Sequence, residues 1–342
     1  MGIRPSLIPL LVSYLSDRKM QVKFNGEISE LYSLIGGGPQ GTLLGGIEYI
    51  AQSNDNADIV PPEDRFKYID DLSILQLVLL SGLLVDYNFH EHVASDVGID
   101  QKFLPPNSYS CQSKVNHISN WTRENKMKLN EAKCTYMIFS RTKTDFTTRL
   151  TVNDNFMERI NVGKILGILV SEDVTWSANC KEICRKAFSR LSMITKLKYA
   201  GVSTEDLIEI YILFIRSIAE YCSVAFHSSL TIENSAKLEQ IQKTCLKVIL
   251  GDMYISYSVA LEMCGLKSLS DRRTDRCLKF AQKCVKHPKL SRLFPYRDDD
   301  GTNQHDIRNK EVFEVNFAST NTYKISAIPY CQRLLNEHLQ SK

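Results

Sequence analysis

The chain holds no Cys-x-x-Cys pair and no Cys/His set with zinc-knuckle spacing, although it carries ten cysteines. Their scatter from Cys111 to Cys331 argues for free thiols in a reducing compartment rather than a disulfide framework. Cys180 and Cys184 stand one helical turn apart, which puts them on one face without making a ligand pair. His90-Glu91-His92 reads as a solvated loop or as the seed of a metal site. No apolar run reaches the about 20 residues that a bilayer-spanning helix needs. Leu72 to Val85 comes nearest and is broken by Gln76. Arg4, Pro5 and Asp17 interrupt the apolar N-terminus, so no signal peptide is expected. Met1-Gly2-Ile3-Arg4-Pro5-Ser6 fits a myristoylation pattern in form, but the segment also reads as the start of a buried helix. A charge excess is missing as well: 42 basic and 39 acidic residues leave a net +3. Any nucleic-acid footprint must therefore be a local basic stripe, not a whole-molecule field. There is no internal repeat and no long low-complexity tract.

What remains is an ordinary globular composition over 342 residues, 43% hydrophobic and 24% charged, long enough for one large or two modest domains. Pro5 to Leu15 has helical apolar spacing and stops at Ser16-Asp17-Arg18-Lys19. Gln21 to Phe24 alternates like a strand, Asn25-Gly26 is a tight-turn signal, and Leu31 to Ile35 reads as the return strand. Gln52 to Asp64, with Pro61-Pro62, reads as a loop. Arg65 to Ile69 and Leu72 to Leu75 then flank two aspartates as a hairpin. Ser113 to Lys128 is amphipathic, with Val115, Ile118 and Trp121 on one face. Lys133 to Phe139 and Lys164 to Val170 read as strands, with weaker ones around Thr151 and Phe156.

After Trp176 the texture becomes helical. Asn179 to Tyr199, Thr204 to Cys222, Ile232 to Leu250, Tyr257 to Cys264 and Ser270 to Lys286 all carry that periodicity. Gly201, Gly251 and Gly265 fall where helix ends take left-handed caps. Ser203 before Glu205-Asp206 reads as an N-cap with acid in the first turn. The expected fold class is α+β: an antiparallel sheet with helices over 1–176, an all-helical part over 177–290, and a loosely ordered tail over 291–342.

The segments that bear on chemistry come in a fixed order. The loop Gly36-Gly37-Gly38-Pro39-Gln40-Gly41-Thr42 is followed by Tyr68-Ile69-Asp70-Asp71. Asn125 to Thr135, with Lys133, runs into the strand Tyr136-Met137-Ile138-Phe139. Leu166-Gly167-Ile168-Leu169 comes last, with Asp173 and Trp176 behind it. Adjacent carboxylates after an aromatic residue suit hard divalent cations, and two-metal phosphoryl transfer holds its ions roughly 3.5–4 Å apart between such groups. Glycines at the first segment let a backbone approach a ligand without a Cβ clash.

This order resembles motifs B, C, D and E of reverse transcriptases from jockey-like non-long-terminal-repeat retrotransposons, over about residues 5 to 290. The resemblance implies a partial polymerase palm followed by a helical thumb and connector. It implies RNA-directed DNA polymerase chemistry with Mg²⁺, or Mn²⁺, held by Asp70 and Asp71. Lys133 would neutralise charge or donate a proton at the leaving pyrophosphate. Gly38, Pro39, Gln40, Gly41 and Tyr68 would contact nucleotide and template, and Leu166-Gly167 would support the primer end. Lys181, Arg185, Lys186 and Arg190, in a run that continues to Lys196 and Lys198, would track phosphates or form a solvated helix face. Trp176 reads as a core anchor rather than a stacking platform. The partners implied are an RNA template, a DNA primer and deoxynucleoside triphosphates, with no membrane. The family's work on chromosomal DNA points to the nucleus.

Relatives also carry motif A, with the first catalytic aspartate, and the fingers upstream of the point matched by Met1. Asp17 is the nearest N-terminal acid and ends a helix rather than sitting in a strand. This polypeptide is therefore expected to polymerise weakly or not at all, and to be marginally stable. Two alternatives from other classes are a non-catalytic nucleic-acid-binding module and a helical interaction scaffold over Asn179 to Lys286.

Overall fold

A computed structural model describes residues 4–34, 53, 55, 56, 58–61, 65–68, 71–75, 111–139, 149–297 and 312–341. The chain divides into two compact units, Met1–Tyr136 with Thr147–Glu158, and Met137–Phe146 with Arg159–Lys342. Both mix or neighbour helices and small antiparallel two-stranded sheets, so the architecture is α+β in the general sense.

The first unit starts with helix α1 (Ile8–Leu15) and four short strands: β1 (Lys19–Met20), β2 (Lys23–Phe24), β3 (Glu27–Ile28) and β4 (Tyr32–Ser33). Asn25 and Gly26, at φ +49° and +89°, close β2 onto β3 as the Asn-Gly signal requires. β1 pairs with β4 outside that turn. The α1 helix forms where its spacing predicts, but it buries none of its residues, and Leu10 is 65% exposed. The expectation of a buried helix there is corrected.

Strands β5 (Arg65–Tyr68) and β6 (Asp71–Ile74) pair antiparallel, as the pattern around the aspartates predicts. Alternation turns Leu72 and Ile74 of β6 inward, onto Ile118 of helix α2 (Cys111–Glu124) and onto Ile59 and Val60. Side chains of α2 also anchor the 53–61 segment: the Trp121 indole N–H donates to Asp55, and His117 Nε2 lies 2.9 Å from Asp58 Oδ1. Past α2 the chain forms a short 3₁₀ turn, Glu131–Lys133, and then β7 (Thr135–Tyr136), not the longer strand expected from Lys133. β8 (Thr151–Val152) and β9 (Asn155–Phe156) make a hairpin, and Gln112 of α2 makes two hydrogen bonds to the backbone of Thr151. β10 (Glu158–Arg159) straddles the division between units.

The second unit opens with β11 (Val162–Ile165) and β12 (Ile168–Ser171), two strands where the periodicity predicts one over Lys164 to Val170. Then follow α3 (Ser177–Tyr199), α4 (Thr204–Ile210), a π-helical turn at Tyr211–Arg216, α5 (Ser217–Glu220), α6 (Ser223–Phe226), α7 (Ile232–Leu250), α8 (Tyr257–Met263) and α9 (Leu269–Lys286). Gly201, Gly251 and Gly265 all have positive φ at helix ends, and Ser203 Oγ accepts from the Asp206 amide, as expected. The main core packs α3 against α7 through Ile183, Ala187, Ile194, Leu238, Ile241 and Ile249. Trp176 packs on this core, its ring 5.9 Å from that of Phe226.

Residues 312–341 fall in the stretch expected to be a loose tail, yet they contain α10 (Asn321–Lys324) and α11 (Ala327–Gln340). The α11 helix is amphipathic and lays Cys331 and Leu335 against Cys277, Ala281 and Cys284 of α9. The Pro- and Asp-rich residues that suggested a tail lie before α11 and hide this periodicity. The described cysteines are all free thiols.

Candidate functional site

The hairpin's register puts Tyr68 opposite Asp71, with Ile69 and Asp70 between them. Asp70 lies outside the described residues, as do Gly38, Pro39, Gln40 and Gly41 and the His90-Glu91-His92 run. Tyr68 is 60% exposed and Asp71 is exposed. The inward packing of the half-buried Leu72 and Ile74 turns Asp71 outward, because alternate residues on a strand face opposite sides. Neither Asp71 nor Lys133 makes an ion pair among the described residues. Lys133 is exposed at the end of the 3₁₀ turn. Glu131, at the start of that turn, accepts 2.7 Å hydrogen bonds from Asn153 and Asn155, and these hold its carboxyl below the usual range.

An exposed carboxylate without a cationic partner is the donor type that a hard cation takes. Among the described residues no three His, Cys, Asp or Glu side chains gather as a metal-holding group.

In the second unit, Leu166 and Gly167 form the two-residue turn of the β11–β12 hairpin, at φ +45° and +91°. The Tyr221 hydroxyl donates to Leu166 O at 2.8 Å, and its ring lies 3.3 Å from where a Gly167 Cβ would stand. The turn is thus tied to the helical part of its own unit.

The four basic candidates on α3 do not act alike. Arg185 makes a two-pronged bond to Glu182, at 2.7 and 2.8 Å, and Lys186 lies 3.4 Å from the same carboxylate. Arg185 foremost holds the Glu182 carboxyl down to about 2. Arg190 donates to the Phe214 carbonyl at 2.7 Å. Lys181 is exposed. At about 100° per residue the four cover roughly half the helix circumference. They are therefore not one phosphate-tracking line.

The structure brings together a charged cluster that the sequence does not advertise. The Glu220 side chain, 3% exposed, is shared by three arginines: Arg216 from the π turn at 3.7 Å, Arg276 of α9 at 2.6 Å, and Arg272 through two hydrogen bonds. Burial pushes the Glu220 carboxyl up, but Arg272 and Arg276 outweigh that and hold it below the ordinary value. Beside it, Arg273 is fully buried, donating to His227 Nδ1 at 3.3 Å and to Ser235 Oγ at 3.1 Å. Burial, and then Arg273, push His227 down to about 4. Glu239 of α7 accepts from the amides of Leu269 and Ser270, capping the start of α9. Apart from Arg216, four residues before Glu220, these partners lie 30 to 56 residues apart in sequence, so no local pattern announces them.

Comparison of the chain with protein-family models, with curated proteins and with solved structures gives no match. No single described helix is long and apolar enough to cross a membrane.

Proposed function

We propose that this chain is the palm-and-thumb part of an RNA-directed DNA polymerase of the non-long-terminal-repeat retrotransposon kind. Its substrates on this reading are an RNA template, a DNA primer and deoxynucleoside triphosphates. The observation that carries the reading is the β5–β6 hairpin, which pairs Tyr68 with Asp71 across the position of Asp70 and leaves Asp71 facing solvent. The chain order of the loop at Gly38, this hairpin, Lys133 and the Leu166-Gly167 turn supports it.

Asp70 and Asp71 would hold Mg²⁺, which when bound activates the primer hydroxyl and neutralises charge on the triphosphate. Gly38 to Gly41 would let the backbone approach the nascent base pair, with Gln40 touching it. Lys133 would give a proton or positive charge to the leaving pyrophosphate. The Leu166-Gly167 turn, held by Tyr221, would bear on the primer end.

Primer extension on an RNA template, with Mg²⁺ and then Mn²⁺, tests this reading beside Asp70→Asn/Asp71→Asn. Any extension should vanish in the double variant. Extension that survives it overturns the roles given to these aspartates. A second reading, a nucleic-acid-binding module without chemistry, draws on the positive helices of the second unit. Under it, the double variant binds an RNA–DNA hybrid as the parent does and neither protein extends it under any condition.

A further inference from the structure

Helix α9 is strongly basic: its 18 residues carry six basic and two acidic side chains, net +4. Helix α3 carries six basic and one acidic, but its cations are spread over half the helix circumference, whereas those of α9 are aligned. Five of the six basic residues, Arg272, Arg276, Lys279, Lys283 and Lys286, are spaced alternately four and three residues apart. At about 100° per residue they fall within an arc of roughly 80° and run about 21 Å along the axis. The buried residues Leu269, Arg273, Cys277, Ala281 and Cys284 lie to one side, centred about 120° from the stripe. Lys279, Lys283 and Lys286 are exposed and make no ion pair among the described residues. Asp275, at the margin of the arc, is paired with Lys267 at 2.8 Å, and Asp271 sits at the N-terminal cap of the helix. Helix-dipole complementation accounts for Lys283 and Lys286 in the last turn, but not for Arg272, Arg276 and Lys279.

We infer that this face of α9 is a binding track for the phosphate backbone of a nucleic acid. Three arginines share one carboxylate at Glu220, so the cluster keeps surplus positive charge, and a guanidinium has five donors, so Arg272 and Arg276 can hold Glu220 and still meet phosphate. The helix is held rigidly by the Glu239 cap, the buried Arg273 bonds and its packing on α11. About 21 Å of track is long enough for its five cations to meet several phosphates of one strand. The stripe carries no apolar residue in its arc, which disfavours an acidic lipid surface, where apolar side chains would insert. This inference agrees with the polymerase reading but does not rest on it, since it uses no residue of the carboxylate hairpin.

The test is fluorescence anisotropy of the full chain with a labelled 20-base-pair RNA–DNA hybrid, over a range of salt concentrations. The triple variant K279Q/K283Q/K286Q leaves the Glu220 clamp intact and keeps good helix formers. It should bind at least tenfold more weakly, and the slope of log affinity against log salt should fall by about 2 to 3. K181Q/R185Q/K186Q on α3 should change the slope by less than 1. Unchanged affinity and slope in the α9 variant overturn the inference, and so does tighter binding to phosphatidylserine vesicles than to the hybrid. Matching circular dichroism and melting temperature secure the comparison; if K279Q/K283Q/K286Q melts early, the single variant K283E replaces it, with an expected slope loss of about 1. Loss of extension in Asp70→Asn/Asp71→Asn with hybrid binding retained would leave this inference standing while deciding the chemistry separately.

Discussion

Arg276 of α9 lies 2.6 Å from the Glu220 carboxylate, which is 3% exposed and also receives Arg272 and Arg216. One acid thus restrains three cations that would otherwise repel. Replacing it by an isosteric amide leaves those cations uncompensated. Glu220→Gln should lower stability by about 2–4 kcal/mol, toward the low end of the cost of breaking a buried pair because Arg276 is partly wet. Urea unfolding of the two proteins measures it; a change under 0.5 kcal/mol would show that the cluster restrains little.

Acid should destabilise the second unit in two separate windows. His227 is neutral in the fold, its pKa lowered to about 4 by burial and Arg273. The unfolded chain takes up that proton near pH 6.5, so stability is full above 6.5 and falls as pH drops toward 4, by at most about 3 kcal/mol. The Glu220 carboxyl is held below its ordinary value. Its contribution is present above about pH 4.3 and is lost as pH falls through the folded value. His227→Gln should flatten the upper window and leave the lower one. A variant whose stability falls between pH 6.5 and 4 as steeply as the parent's would contradict this.

Gly167 sits at φ +91° with the Tyr221 ring 3.3 Å from the place of a Cβ. Gly167→Ala should cost about 1–2 kcal/mol from the left-handed conformation alone, with the ring displaced in addition. Tyr221→Phe removes only the bond to Leu166 O and should cost about 0.5–1 kcal/mol. Thermal melts that rank the two in the opposite order would show that the turn is not built against Tyr221.

Much of this was legible in the sequence where the cause is local. The Asn25-Gly26 turn, the β5–β6 hairpin, the Ser203 cap and the long helices follow from turn chemistry and periodicity, which act over a few residues. Periodicity predicts one strand over Lys164 to Val170 because two four-residue strands around a tight turn look like a single apolar run. The α11 helix follows a Pro- and Asp-rich approach whose composition reads as a loose tail. At the candidate site, the position of Asp71 at the strand end follows from alternation. Glu220 meeting Arg272 and Arg276 across more than 50 residues does not, because only tertiary packing brings them together. The basic stripe of α9 is legible in the spacing from Arg272 to Lys286, which aligns its cations where those of α3 are dispersed; that Arg273 is buried beside it is not.

Asp71 is exposed and makes no ion pair among the described residues. Asp71→Asn should therefore change the free energy of unfolding by less than about 0.5 kcal/mol, as surface substitutions usually do. A loss above 1 kcal/mol in urea unfolding would give Asp71 a structural duty and weaken its assignment to metal.

The most direct test of the central claim is Mn²⁺ titration of the chain bound to an RNA–DNA primer–template, followed by water-proton relaxation. The account predicts an enhancement that Asp70→Asn/Asp71→Asn abolishes while hybrid binding persists. The same enhancement in the double variant, or none in the parent protein, would contradict a metal-holding carboxylate hairpin.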